Sequence, residues 1–324
     1  MMKKMNKELN GDGLFKNRLR SLFYQKYQIN IRSIHRINSY VYQVNADHQI
    51  FLVKGFPSER SFLKQKILTN YLKSHDFHET FSFLFDQQIL FSSFGRHFSV
   101  IEFLPPHRQP FTYNSLKEIQ EALHVLSKFH AKAQDLKEHS IFPNFDLIDK
   151  YKKRLTEFCL NKFHFQSLML PSIFQELIGW ANFSLNGMEQ AQDSFHTNTI
   201  IHGDVAHHNF LRHQNGKLYL IDFDLCAKSK KETDYLQLAI RVLPYINWDL
   251  DLLFTLSPLQ QYERDPWFLY GLLYPSEVLR EWNHFFRKKG WRMEEKWKFY
   301  LFQKTYHDVL ERKKLFSEIK RRLS

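Results

Sequence analysis

The chain has 324 residues, 43% hydrophobic and 16% aromatic, with 32 Phe and 15 Tyr, which is ample material for one two-lobed domain or two modest ones. Ten Gly and ten Pro exclude a collagenous or linker-rich chain. Two distant cysteines, Cys159 and Cys226, exclude a disulfide framework and fit a reducing compartment.

The N-terminus, Met1–Lys7, is basic but runs on into polar residues rather than an apolar segment, so a cytoplasmic chain is expected rather than a secreted one. No uncharged apolar run reaches about 18 residues, so no membrane span is expected. After a basic helical leader near Leu14–Tyr27, the runs Ile31–Ile37, Tyr40–Asn45 and Ile50–Phe56 alternate as strands do. Pro57-Ser58 then interrupts the chain. Ser58 is placed to cap a helix reaching about Lys73, with Phe62, Ile67 and Tyr71 among its buried residues. Further β-like runs follow at Phe81–Phe85, Gln87–Phe91 and His97–Leu104, the last ending at Pro105-Pro106.

From Asn114 to Ala133 the apolar residues Leu116, Ile119, Leu123, Leu126 and Phe129 recur at helical spacing. Helical patterns dominate from there, apart from a β-rich island at Thr199–Asp224. The formal charge of +12 concentrates at the far end, where thirteen Lys or Arg face five Asp or Glu between His284 and Ser324. That stretch reads as an amphipathic helix over Arg292–Arg322 with a solvated basic face, its apolar side carrying Trp297, Phe299, Leu301 and Phe302. No zinc-finger, RNP or helix-turn-helix signature accompanies it, so no nucleic-acid partner is expected. The expected fold is α+β, with a β-rich lobe over residues 1–105 and a helical lobe over residues 106–324.

The stretch with the most chemistry is Ile200-Ile201-His202-Gly203-Asp204, continuing to Asn209, then Asn215-Gly216, then Leu220-Ile221-Asp222-Phe223-Asp224. Two apolar runs around Asn215-Gly216 predict a hairpin, with Asn209 before its first strand and Asp222 after its second. Gathered this way beside a carboxamide, the two carboxylates repel one another unless a cation is present. They suit phosphoryl transfer, because Mg2+ takes hard oxygens from one or two carboxylates while a separate Asp orients or deprotonates the attacking hydroxyl. The pattern His-Gly-Asp-x4-Asn arises by chance in about one chain of this length per thousand.

His202–Asn209 followed by Ile221-Asp222-Phe223 resembles the signature of the aminoglycoside phosphotransferase and choline kinase superfamily, and most closely the CotS-like spore-coat-associated proteins of endospore-forming bacteria. The resemblance implies a protein-kinase-like fold with a small antiparallel-sheet lobe. It makes Asp204 the catalytic residue and Asn209 and Asp222 the metal ligands. It places Lys54, in Phe51-Leu52-Val53-Lys54, at the phosphates of ATP, and Glu102, Phe103 and Leu104 at the adenine-binding hinge. Leu126–His130 resembles the helix that opens the second lobe, and Asp234-Tyr235-Leu236 the later Asp-Leu behind the active site.

The chain departs from the pattern in two places. The turn Ile37–Tyr40 has no glycine, and the helix after Ser58 offers Glu59 or Gln65 where a glutamate would pair Lys54. His207 and His208 are adjacent and unsuited to one tetrahedral metal, so one is expected to pack internally and the other to face outward. Cys226 reads as a small buried hydrophobe. Two readings follow. One is an ATP- and Mg2+-dependent phosphotransferase with a small-molecule hydroxyl acceptor, in the mother-cell cytoplasm or spore coat. The other is an inactive kinase-fold protein that contacts spore-coat proteins.

Overall fold

A computed structural model describes residues 2–137, 139–165, 168–191, 198–288 and 295–323. The chain is α+β and forms two compact units. One comprises Met1–Pro110, Leu136–Ile141 and Leu211–Asp224, and the other Phe111–Asp135, Phe142–Phe210 and Leu225–Ser324.

In the first unit, helix α1 (Met2–Tyr27) precedes strands β1 (Ile31–Asn38), β2 (Val41–Ala46) and β3 (Ile50–Phe56). Helix α2 (Glu59–Ser74) and strands β4 (Phe91–Ser93) and β5 (Arg96–Glu102) follow. The five strands form one antiparallel sheet in the order β1-β2-β3-β5-β4. Alternation along the strands sends Tyr42, Val44, Phe51, Val53 and Val100 to the core they share with Phe15, Leu19 and Phe23 of α1. Phe15 stacks on Tyr42 with ring centroids 4.5 Å apart, and Phe23 on Phe51 at 4.9 Å. The intervening residues of β3, Leu52 and Lys54, are thereby left to the opposite face.

The Ser58 hydroxyl accepts from the Ser61 N–H at 3.1 Å and caps α2. The inward face of α2 is Phe62, Lys64, Gln65, Leu68, Thr69 and Leu72, whereas Ile67 and Tyr71, expected inside, are only half-buried. The helix is turned so that Gln65 meets charged partners, a preference that apolar spacing does not register. The runs Phe81–Phe85 and Gln87–Phe91 also differ from expectation. Phe83 makes a single bridge to Ile101, and Phe85, Asp86 and Gln87 adopt φ of 49, 57 and 51° in a 3-10 turn. Left-handed backbone cannot continue a ladder, so pairing is confined to Phe91–Ser93.

The helical unit opens with α3 (Leu116–Ala133), capped by the Ser115 hydroxyl, which accepts from the Glu118 N–H at 3.2 Å. Ile119, Leu123, Leu126 and Phe129 are buried, while Leu116 in the first turn is exposed. Helices α4 (Leu147–Leu160), α5 (Lys162–Phe165) and α6 (Pro171–Gln190) and strand β6 (Asn198–Ile201) follow. The predicted hairpin is β7 (Phe210–Arg212) and β8 (Leu218–Leu220). Gly216 has φ +83°, and the Asn215 side chain accepts from the Lys217 N–H at 3.0 Å, which sets the turn. Leu211–Asp224 belongs to the sheet unit, where the Leu220 N–H donates to the Glu79 carbonyl at 2.9 Å and the His107 N–H to the Arg212 carbonyl at 2.7 Å.

Strand β9 (Ala227–Lys230) pairs antiparallel with β6. Helices α7 (Glu232–Val242), α8 (Leu250–Thr255), α9 (Pro266–Leu273), α10 (Ser276–Arg287) and α11 (Glu295–Leu323) complete the helical unit. Helix α11 covers most of the expected basic helix, whose first residues, 292–294, lie outside the described ones. Its inner face is Leu301, Thr305, Asp308, Val309, Arg312, Leu315 and Ile319, and Phe299 and Phe302 are exposed rather than inward. Lys296, Lys313, Lys314, Lys320 and Arg321 face solvent. Among the described residues, no helix is long and apolar enough to cross a membrane.

Candidate functional site

The sequence-derived residues fall into two groups, one in each unit. In the sheet unit, Lys54 is buried and its Nζ donates to Asp222 Oδ1 at 2.8 Å, to Asp224 Oδ1 at 2.7 Å and to the Gln65 carboxamide oxygen at 3.3 Å. The other end of the same carboxamide donates to Asp224 Oδ1 at 2.6 Å. Burial pushes the Lys54 ammonium down, and the charges of Asp222 and Asp224 overcome it, so its pKa is raised and it stays protonated. Asp222 has φ +65°, a region costly for a non-glycine residue. It is held there by the ion pair to Lys54 and by the buried neighbour Phe223, which packs 6.1 Å from Phe81.

Lys54, Asp222 and Asp224 line a cavity of about 630 Å3. Glu102, Phe103 and Leu104 line it too, as do Ile37, Asn38 and Tyr40 of the glycine-free turn. The Asn38 side chain accepts from the Tyr40 N–H at 2.9 Å, so an Asx-type turn closes this loop without glycine. The Glu102 backbone and carboxylate are both tied to Ser82: its N–H donates to the Ser82 carbonyl at 2.8 Å and its Oε2 accepts from the Ser82 N–H at 3.0 Å. Phe103 and Leu104 follow the end of β5 and stand outside the ladder.

In the helical unit, Asp204 Oδ1 accepts from Arg241 of α7 at 2.9 Å. Asn209 is buried, and its Nδ2 donates to the Asp204 carbonyl at 2.8 Å, which leaves its oxygen as the end able to meet a cation. The loop is anchored from beneath by buried Asp234, which accepts from the His202 N–H at 2.7 Å, the Gly203 N–H at 2.9 Å and His130 Nε2 at 2.9 Å. Burial pushes the Asp234 carboxyl up, but the His130 hydrogen bond and the neighbouring charge hold it below the usual carboxylate range. Gly203 has φ +81°, and a Cβ there would collide with the Leu225 carbonyl, so only glycine fits. The Tyr113 hydroxyl donates to the Val205 carbonyl at 2.8 Å and fixes the far end of the loop. His207 and His208 are both exposed, rather than one packed inside. They sit in the one-turn 3-10 segment that positions Asn209 and leaves no interior for either ring. His202 is buried and its Nδ1 accepts from the Asp204 N–H at 3.3 Å, a structural role. Cys226 is buried, as its reading required.

No family model and no curated protein matches the sequence. Solved structures do. An aminoglycoside phosphotransferase from Alicyclobacillus acidocaldarius is 15% identical, covering 90% of this chain and 92% of its own, with a TM-score of 0.67. The fold is that of the aminoglycoside phosphotransferases. The GDP complex of aminoglycoside 2'-phosphotransferase-IIIa is 15% identical over 91% of this chain and 99% of its own, with a TM-score of 0.64. The choline kinase LicA from Streptococcus pneumoniae is 13% identical over 93% and 99%, with a TM-score of 0.54.

Within that kinase-like fold, four side chains bear on the site without having been singled out from the sequence. Asp224 was visible as the second acid of Asp222-Phe223-Asp224, but its link to Lys54 through Gln65 was not. Arg241 lies seven residues after Asp234, two turns along α7, and that spacing was its available signal. Nothing in the sequence marks Lys150 or Arg154 of α4. Among the described residues, no three His, Cys, Asp or Glu side chains form a ready metal site. Taken singly, the half-exposed carboxylate of Asp222 in the sheet unit and the carboxamide oxygen of Asn209 in the helical unit are each hard oxygen donors of the kind Mg2+ takes.

Proposed function

We propose that the chain is an ATP- and Mg2+-dependent phosphotransferase acting on a hydroxyl acceptor. The observation that carries this reading is the buried Lys54 ammonium, held by Asp222, Asp224 and Gln65 at the wall of a 630 Å3 cavity. A cation so placed suits the phosphates of a nucleotide. In this reading the adenine meets the backbone at Glu102, Phe103 and Leu104. Asn209 and Asp222 hold Mg2+, which when bound neutralises phosphate charge. Asp204, oriented by Arg241 and by the loop's anchor on Asp234, receives the acceptor's hydroxyl proton. The acceptor oxygen forms a bond to the γ-phosphorus, the bond from that phosphorus to the bridging oxygen breaks, and ADP leaves. The CotS-like motifs make the mother-cell cytoplasm and spore coat its setting, with coat proteins as neighbours.

The scaffold reading draws on one observation, the uncharged Gln65 where an acid would pair Lys54. Turnover separates the two. Purified protein with Mg2+ and ATP is expected to form ADP when offered a panel of alcohols. Asp204→Asn is expected to cut the rate by about 10²–10⁴-fold while keeping ATP affinity. ATP binding with no turnover on any alcohol favours the scaffold.

A further inference from the structure

Helix α4 places Lys150 and Arg154 one turn apart on the same face, where like charges repel. Both line a cavity of about 270 Å3 that also contains Asp204. Arg241, Arg280 and Arg287 bring the cations of this cavity to five, against the acids Asp204 and Glu277. Most of these cations are already matched: Arg241 by Asp204 at 2.9 Å, Arg280 by Glu277 at 2.6 Å and Glu281 at 2.8 Å, and Arg287 by Glu157 at 3.5 Å. Lys150 and Arg154 are not. Lys150 donates to the Gln237 carboxamide oxygen at 3.3 Å, and Arg154 to the carbonyl and hydroxyl of Ser276 at 3.2 and 2.5 Å. Among the described residues, neither has a carboxylate within ion-pair distance.

Burial, with the adjacent Arg154 guanidinium, pushes the Lys150 ammonium down to about 8. Two half-buried cations facing one cavity, with carboxylates near but none in ion-pair contact, are only partly compensated, and an anion entering that cavity completes the compensation. A second cavity of about 440 Å3 that also reaches Asp204 is closer to balance, with Arg241, Arg280, Lys304 and Arg312 against Asp204, Glu277 and Asp308.

We infer that the acceptor is a small anionic alcohol, its phosphate or carboxylate held by Lys150 and Arg154 and its hydroxyl presented to Asp204. This rests on the phosphotransferase reading, and it sets the chain apart from one built for a polycationic acceptor. Product formation follows the step above: the alcohol oxygen gains the γ-phosphoryl group, its proton passes to Asp204, and ADP departs.

Calorimetric titration without nucleotide tests the anion site independently of turnover. Glycerol 3-phosphate and glycerate, one for each type of oxyanion, are set against glycerol and kanamycin. At least one anion is expected to bind, with glycerol and kanamycin silent, and Lys150→Gln and Arg154→Gln are each expected to weaken that binding at least 10-fold. A retained Mg-ATP stabilisation in each variant shows that it is folded, and its loss from the wild type would count against the nucleotide reading instead. Silence from both anions, preferential kanamycin binding, or anion affinity unchanged in both variants but lost in Lys54→Met overturns the proposal.

Discussion

Lys54 shows how one residue's role is set by its partners. Its ammonium serves two carboxylates that are about half exposed, 48% for Asp222 and 46% for Asp224. Lys54→Met removes their shared counter-charge. The expected cost is about 1–2 kcal/mol, below the 3–5 of a fully buried pair because solvent screens both acids. The same variant should gain more thermal stability from millimolar Mg2+ alone than the wild type does, since a divalent cation replaces the lost ammonium. Equal gains in both proteins would contradict this. Gly203→Ala puts a side chain at φ +81° against the Leu225 carbonyl, and a loss of about 1–3 kcal/mol is expected in urea unfolding. Lys150 carries a pH dependence. Arg154 faces it from its own helix, Asp204 from the loop, Asp234 and Arg241 from α7, and Glu277 and Arg280 from α10. Its pKa is depressed to about 8, so the cation is present below that value and lost above it. Anion affinity should therefore fall as pH rises through about 8, and in Lys150→Gln this step should disappear.

Elements with a strong local signal were legible and those under tertiary control were not. Strand β3 occupies the span read from its alternation, and α2 starts at its Ser58 cap. The face that α2 buries could not be read, because Gln65 and Lys64 point inward to charge near Lys54 and to the Asp224 carbonyl. Phe85–Gln87 escaped for a different reason, since its left-handed turn contains no glycine to announce it. Helix α1 was seen as a basic leader, yet Phe15, Leu19 and Phe23 make it part of the sheet's core. Phe23→Ala should accordingly cost about 3–5 kcal/mol in urea unfolding, as for a buried Phe elsewhere. A loss under 1 kcal/mol would mean that α1 is dispensable to the sheet.

At the scale of the whole molecule, what the sequence revealed of the candidate site was what lay contiguous in it. Asp204, Asn209 and Asp222 fall within nineteen positions around one hairpin, so their residue types and spacing could be read directly. Arg241, Lys150 and Arg154 come from separate helices, and folding alone gathers them in the 270 Å3 cavity with Asp204. The overall charge of +12 was a poor guide, because the exposed lysines of α11 contribute to it as fully as the unmatched pair on α4. The measurement closest to the central claim is thermal unfolding with Mg2+ and ATP, beside Asp222→Ala. At a hundred times its dissociation constant, a ligand of the native state adds about 2.7 kcal/mol, a shift of several degrees. The expected result is a shift in the wild type that is absent from Asp222→Ala. No shift at millimolar ATP, or the same shift in both proteins, would contradict a nucleotide site built on Lys54 and Asp222.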